Sequence, residues 1–385
     1  MSLPPIYPKL FHRKSFLSFL AIRNLFLLSL VNCLSSCTST TKDLSTIPSS
    51  DVFTYKKILL LKTTVVDLPL RSAPNTSSDL IETLPKGTLL EGLAYSIKNI
   101  PTKRINGITY KEPWQKVITE DEKTGWVYGG GLNLTNPIIP TVSQNDFIQK
   151  RLKGIFGTNL SMEILEYRKA YDAIASSQDF ATIYSKGLSL RDSVAQILSM
   201  TAEVADPYEP VDFSWLEYTL PGFHIQLVSE ATAYYPYIDY ASFLKKANTT
   251  LEKEDDLFLN LNIAMYKDSI EQAFPSWVQQ TWDYGGHSLL GSNKHLELLQ
   301  SIDTIYQKTS LFNPHLVGYK DALLSDILAE WVTYWDTQQA IQKELKQIIA
   351  SEFSCLTEEE QLQLQQRLVA FDDPALNSIS LNNRN

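Results

Sequence analysis

Turn-forming clusters interrupt the chain so often between residues 53 and 134 that only short strands fit between them. The run Ser72-Ala73-Pro74-Asn75-Thr76-Ser77-Ser78 is one that only a loop tolerates, and Pro85-Lys86-Gly87 makes a tight turn. Asp79-Leu80-Ile81-Glu82-Thr83-Leu84 alternates before that turn. Trp114-Gln115-Lys116-Val117-Ile118 alternates again, and Thr124-Gly125-Trp126-Val127-Tyr128 enters another strand through Gly125. Short strands at this spacing predict a small β-barrel over residues 54–135.

Four blocks of this region stand in a fixed order: Leu68, Arg71, Ser72 and Pro74; Leu84, Lys86, Gly87 and Thr88; Trp114, Lys116 and Val117; Gly125, Trp126 and Val127. Together they resemble the bacterial SH3-like (SH3b) family over about a fifth of the chain. The resemblance implies an SH3-like barrel and a targeting module for cell-wall peptides or other extracytoplasmic ligands. Two departures stand out. Ala73 replaces a common glycine, and residues 91–113 form a longer connection, with Asn99, Pro101, Lys103, Arg104 and Gly107 in it. Packing in the barrel accounts most simply for Trp114 and Trp126. As a binding face, the sequence offers Trp114, Trp126, an exposed Tyr128 and the 98–110 loop, because loops on a rigid scaffold carry recognition. Gly129-Gly130-Gly131 opens no helix and reads as a hinge, not a phosphate cradle.

Residues 1–36 carry Lys9, Arg13, Lys14 and Arg23 and no acid. The apolar run Leu25-Phe26-Leu27-Leu28-Ser29-Leu30-Val31 is too short to span a bilayer and has the form of a secretory signal. It ends in Leu34-Ser35-Ser36-Cys37, which resembles a bacterial lipobox. That resemblance implies a lipoprotein acylated on Cys37, with palmitate or a similar chain, and anchored to the membrane there. Cys33 fits the pattern less well, because Asn32 before it is bulky. Cleavage after residue 36 takes the formal charge from −9 to −13. Residues 37–53 are rich in Ser and Thr without periodicity and read as a flexible tether. The expected location is the cell envelope, at the periplasmic face of the outer membrane rather than the inner one. No acidic run of the kind associated with surface export follows Cys37.

Asn136-Pro137-Ile138-Ile139-Pro140 reads as a linker, and beyond it the spacing turns helical over 141–375. Leu160, Ile164, Tyr167, Tyr171 and Ile174 recur at helical intervals, as do Leu257, Leu261, Ala264 and Met265 within 254–272. A further helix is expected around 191–198. Leu324, Leu328, Trp331, Trp335, Ile341, Leu345 and Ile349 suggest one face of a long helix. Thr357-Glu358-Glu359-Glu360 is a capped, acidic start for a final one. Residues 223–228 and 233–239, rich in aromatic and β-branched side chains, read as a β-hairpin inserted among the helices. Residues 376–385 read as a disordered tail. The fold class is therefore multidomain α+β: a small SH3-like β-barrel, then a mainly α-helical domain with a small β-hairpin insert.

The acidic balance excludes a nucleic-acid binder, which needs a clustered basic face. For catalysis, Cys355 is the one nucleophile left once Cys37 is acylated, and it lies between a helix end and a turn. His224, His287, His295 and His315 show no zinc-ligand spacing. A glycosidase reading draws on Glu230 and Asp239 flanking the hairpin, with tyrosines between them to stack on sugar rings. Trp277, Trp282, Asp283, Tyr284 and the Gly285-Gly286 pair before His287 suggest a helix end opening into a loop, either a packing corner or a pocket mouth. No nucleophile arrangement, metal or cofactor emerges. The reading is a non-catalytic envelope protein whose SH3-like module binds a peptide, a peptidoglycan fragment or an envelope protein. The alternative is a wall hydrolase using Glu230, Asp239 and His224 or His287.

Overall fold

β1 (Val52–Thr63) is long enough to serve two partners, and the N-terminal sheet is built around it. The computed structural model describes residues 51–135, 142–204, 210–228, 233–266, 275–282, 285–330 and 332–382. β1 is followed by β2 (Leu68–Arg71), β3 (Leu80–Leu84), β4 (Leu89–Ser96), β5 (Thr102–Ile105), β6 (Ile108–Lys111), β7 (Trp114–Thr119), β8 (Thr124–Tyr128) and β9 (Leu132–Leu134). Seven of these form one antiparallel sheet in the order β3-β2-β8-β7-β4-β1-β9, and β5 and β6 pair separately. Strand alternation turns Leu59, Leu61, Leu68, Leu70, Leu90, Val117 and Val127 inward, where all are buried.

Two expectations for this region are corrected. The long connection over 91–113 is the continuation of β4 and then the β5–β6 hairpin. Gly129–Gly131 is a buried 3-10 turn, not a hinge, because β9 returns directly to pair with the end of β1.

The helical region begins with α1 (Val142–Asp172), bent at Gly157, whose φ of 74° breaks the helix into two runs. The first run lies on the barrel. β1 slips register against β4 between Thr54 and Leu59. At that slip the Ser143 hydroxyl donates to the Lys57 carbonyl (2.7 Å) and accepts from the Lys57 N–H (3.0 Å). Helix and strand approach so closely at Gly154 that any Cβ would sit 2.4 Å from the Lys111 carbonyl oxygen. One turn earlier, Arg151 enters the barrel itself. Its guanidinium pairs with Glu112 (2.6 and 3.2 Å) and donates to the carbonyls of Gly129 (3.0 Å) and Leu132 (2.7 Å). Both side chains are buried. Burial alone would lower the Arg151 pKa, but the adjacent Glu112 carboxylate more than reverses this and holds it above its ordinary value.

The second run of α1 packs on α2 (Ser177–Thr201), and its Tyr167 ring meets Phe223 of the inserted hairpin. After α3 (Ser214–Thr219) come β10 (Phe223–Leu227) and β11 (Tyr234–Ile238), which form the hairpin expected from the sequence. The Tyr167 hydroxyl donates to the Pro221 carbonyl just before it (2.7 Å). α4 (Tyr240–Ala247) and α5 (Glu254–Met265) follow. Then come β12 (Val278–Gln280), β13 (Gly286–Ser288), α6 (Lys294–Lys308), α7 (Asn313–Leu328), β14 (Thr333–Tyr334), α8 (Gln338–Ala350), α9 (Glu358–Ala370) and β15 (Ser380–Leu381). Buried Glu344 of α8 accepts from the N–H groups of Gly291, Asn293 and Leu296, satisfying donors left open at the start of α6. Thr357 and Glu360 complete a reciprocal capping box on α9.

The single long helix expected through residues 324–349 is two helices. α7 ends at Leu328, β14 pairs in parallel with β13, and Thr337 caps a new start by accepting from the Ala340 N–H. Apolar spacing persists across the break because both helices bury a stripe in the same core. The expected disordered tail is partly structured: β15 pairs with β14, and Ile379 is buried.

Buried apolar side chains form one cluster from Leu59 in the barrel to Phe371 in α9, and residues 51–385 separate as one compact unit. Arg151→Met leaves Glu112 buried without its partner and should lower unfolding stability by about 3–5 kcal/mol. The Glu112→Gln, Arg151→Met pair should recover part of that loss. Urea unfolding followed by tryptophan fluorescence and by far-ultraviolet circular dichroism checks this, with coincident transitions expected for the unaltered chain.

Candidate functional site

The β5–β6 hairpin gives the barrel its concave surface. Asn106 and Gly107 occupy its turn with φ of 47° and 84°, the left-handed pair that a two-residue hairpin requires. The Asn106 side-chain amide donates to the Thr64 carbonyl (3.1 Å), holding the turn over the end of β1. Beyond α2, the Glu203 N–H donates to the Gly107 carbonyl (2.9 Å), Ala202 bridges to Ile108, and Glu203 pairs with Arg104. At the base of the hairpin the Tyr128 hydroxyl lies 2.8 Å from the Tyr110 carbonyl oxygen and 3.1 Å from that of Pro101. Burial pushes that hydroxyl up to about 12.

A cavity of about 360 Å³ lies between this hairpin and residues 65–71. Leu68, Pro69, Arg71, Lys103, Trp114 and Tyr128 line it, with Asp67 at its exposed rim. The Lys103 ammonium sits 5.2 Å from the Trp114 ring centre and 5.1 Å from that of Tyr128. Burial, and then the charge of Arg71, lower the Lys103 pKa. Lys103 makes no ion pair among the described residues. Its neighbour Arg104 also borders the cavity, but its guanidinium is engaged by Glu203. A second cavity of about 220 Å³ lies beyond the hairpin tip and shares Ile105 and Asn106. There Lys62 meets Asp212 (3.2 Å) and Arg151 meets Glu112, so those charges are compensated.

Trp114 and Tyr128 thus line the groove, while Trp126 is buried opposite Arg71 and lines neither cavity. The expected exposure of Tyr128 is corrected to 3%, because the hairpin covers its ring. Lys103 and the hairpin turn fall within the 98–110 stretch expected as a binding face, whereas Arg71 stood out only as part of the SH3-like blocks. Asn106-Gly107 between Ile105 and Ile108 was the signal for that hairpin.

Residues invoked for catalysis are scattered. Cys37 and Glu230 lie outside the described residues. Asp239 caps α4, accepting from the Ser242 N–H (2.9 Å) and its hydroxyl. His224 pairs with Glu217 (2.6 Å). His287 lies in β13, 5.8 Å from the Trp335 ring, with its Nδ1 buried and unpartnered. Cys355 is buried, and burial followed by the nearby Asp303 carboxylate pushes its thiol up to about 12. Ser288, Asp326 and His295 meet, but the Ser288 hydroxyl donates to the same Asp326 oxygen that binds His295 Nε2 (2.8 Å). A hydroxyl held by a carboxylate in a buried site, rather than by an imidazole base, is a packing pin, not an activated nucleophile. Among the described residues no group of three His, Cys, Asp or Glu side chains is arranged to hold a metal ion.

Comparison with known families matches residues 66–133 to the bacterial SH3 domain, the segment that holds the groove's aromatic floor and both of its walls. No curated protein and no solved structure matches the chain. Gly107→Ala, at φ 84°, should destabilise the hairpin by about 1–2 kcal/mol. Hydrogen exchange should quicken across 102–111 while exchange in β7 is unchanged.

Proposed function

We propose that this chain is a non-catalytic, lipid-anchored cell-envelope protein whose bacterial SH3 domain binds a peptide, a cell-wall fragment or an envelope protein in the groove beside the β5–β6 hairpin. The observation that carries this reading is the groove itself. It is a concavity with an aromatic floor and a few polar groups, built on paired strands and walled by a hairpin fastened at its turn, flank and base. Such a site binds without large ordering costs, because its walls are already in place.

The lipobox-like Leu34-Ser35-Ser36-Cys37 supports anchoring at Cys37, at the periplasmic face of the outer membrane. The Ser/Thr-rich stretch after it keeps the domain near that surface and raises the effective concentration of a weak site. Cys37→Ser should move the protein from the membrane to the soluble fraction and abolish palmitate incorporation. Retention of both would remove the anchor from this reading.

For the groove, residues 38–385 are mixed with purified sacculi, and both pelleting and release of soluble fragments are scored. We expect pelleting without release, weakened at least about tenfold by Val65→Trp, which puts a large ring on a side chain that lines the groove, with the protein still folded by circular dichroism. Pelleting indifferent to Val65→Trp would place wall binding elsewhere. Release of fragments would favour a hydrolase. Absence of pelleting would eliminate the wall and leave a peptide or protein ligand.

A further inference from the structure

Two cations line the groove without a dedicated counter-ion. Lys103 makes no ion pair among the described residues and rests over two aromatic rings. Arg71 donates from one guanidinium nitrogen to the Ser78 carbonyl (2.7 Å), and no ion pair to a carboxylate accompanies it among the described residues. The third cation of the lining, Arg104, is already engaged by Glu203. The one carboxylate in the lining, Asp67, stays at the exposed rim and forms no ion pair among the described residues. Gathering like charges in a half-desolvated cavity is unfavourable unless something negative completes it. The placement stands out because the chain as a whole has a formal charge of −9.

The geometry points to a carboxylate as the group this groove selects, taken between Lys103 and Arg71 above Trp114 and Tyr128, from an acidic peptide side chain or a free peptide terminus. The inference deepens the groove reading and rests on it. A planar carboxylate suits the guanidinium fork, and the ammonium serves as a second, less directional charge. With Asp67 at the rim, the local excess is small, so a singly charged group matches it better than a phosphate dianion. The aromatic floor accommodates the apolar part of the same residue. The volume, about 360 Å³, suits a ligand of small-molecule size rather than a long segment.

The test uses residues 38–385 and two N-acetylated, C-amidated tripeptides, Ala-Glu-Ala and Ala-Gln-Ala, with inorganic phosphate as a third probe. NMR signals of the Trp114 indole and the Lys103 side chain report binding. Losing one charge-assisted contact should weaken the Gln peptide at least about tenfold relative to the Glu peptide. Lys103→Met should erase that difference, Lys103→Arg should keep it, and both variants should melt like the parent. Equal shifts with both peptides, no shift with either up to millimolar concentration, or phosphate binding tighter than the Glu peptide would each overturn carboxylate selection. The groove reading fails separately: Val65→Trp would then leave both sacculus pelleting and the peptide shifts unaltered. If sacculi bind through the groove while the two peptides behave alike, the groove reading stands and the carboxylate inference falls.

Discussion

One buried ion pair joins the two halves of this protein. Arg151 leaves the first run of α1, crosses into the barrel, and meets Glu112 and the carbonyls of Gly129 and Leu132. Phe147, Tyr110 and Trp215 stand around its guanidinium. A barrel without α1 would leave the buried Glu112 carboxylate without its Arg151 partner, and a helix without the barrel would expose its apolar face. Each half therefore supplies what the other cannot provide, which is why the core is continuous and residues 51–385 form one unit. Replacing the pair with apolar side chains of similar volume need not weaken the fold; breaking it on one side does, because a single charge is left in a dry site.

That dependence reaches the groove. The hairpin that walls it is held on one flank by Ala202 and Glu203, just past α2, and on the other by Asn106 on Thr64. Within the hairpin, Lys103 lies over Trp114 and Tyr128, while Arg104, also at the groove, is neutralised by Glu203. The helical region thus braces a groove whose lining lies wholly in the N-terminal β region. Among its own polar groups, Asp326 of α7 joins Ser288 of β13 and His295 of α6 by hydrogen bonds and so ties three elements together.

Where local chemistry decides the conformation, the sequence is easily read. The four SH3-like blocks, the Thr357–Glu360 capping box and the aromatic hairpin at 223–238 all form, because turn residues, caps and alternation act within a few residues of themselves. Reading failed where two segments far apart share an environment. The stripe from Leu324 to Ile349 looked like one helix because both α7 and α8 face the same core, and periodicity does not register the strand between them. Tyr128 looked exposed because nothing near it in sequence shows that a hairpin would close over its ring. The hairpin itself was legible in Asn106-Gly107, whose backbone preference is local, but was absorbed into a long loop.

The sequence by itself determined the class of the first domain and the helical character of the second. These follow from periodicity and turn chemistry, which act between near neighbours along the chain. Only the tertiary structure decided that barrel and helices share one core, that Arg151 and Glu112 meet inside it, and that Lys103, Arg71, Trp114 and Tyr128 converge on one groove. The physical reason is that burial and electrostatic compensation act through space. The residues of the groove come from β2, β5, β7 and β8, so no window of the sequence contains them together.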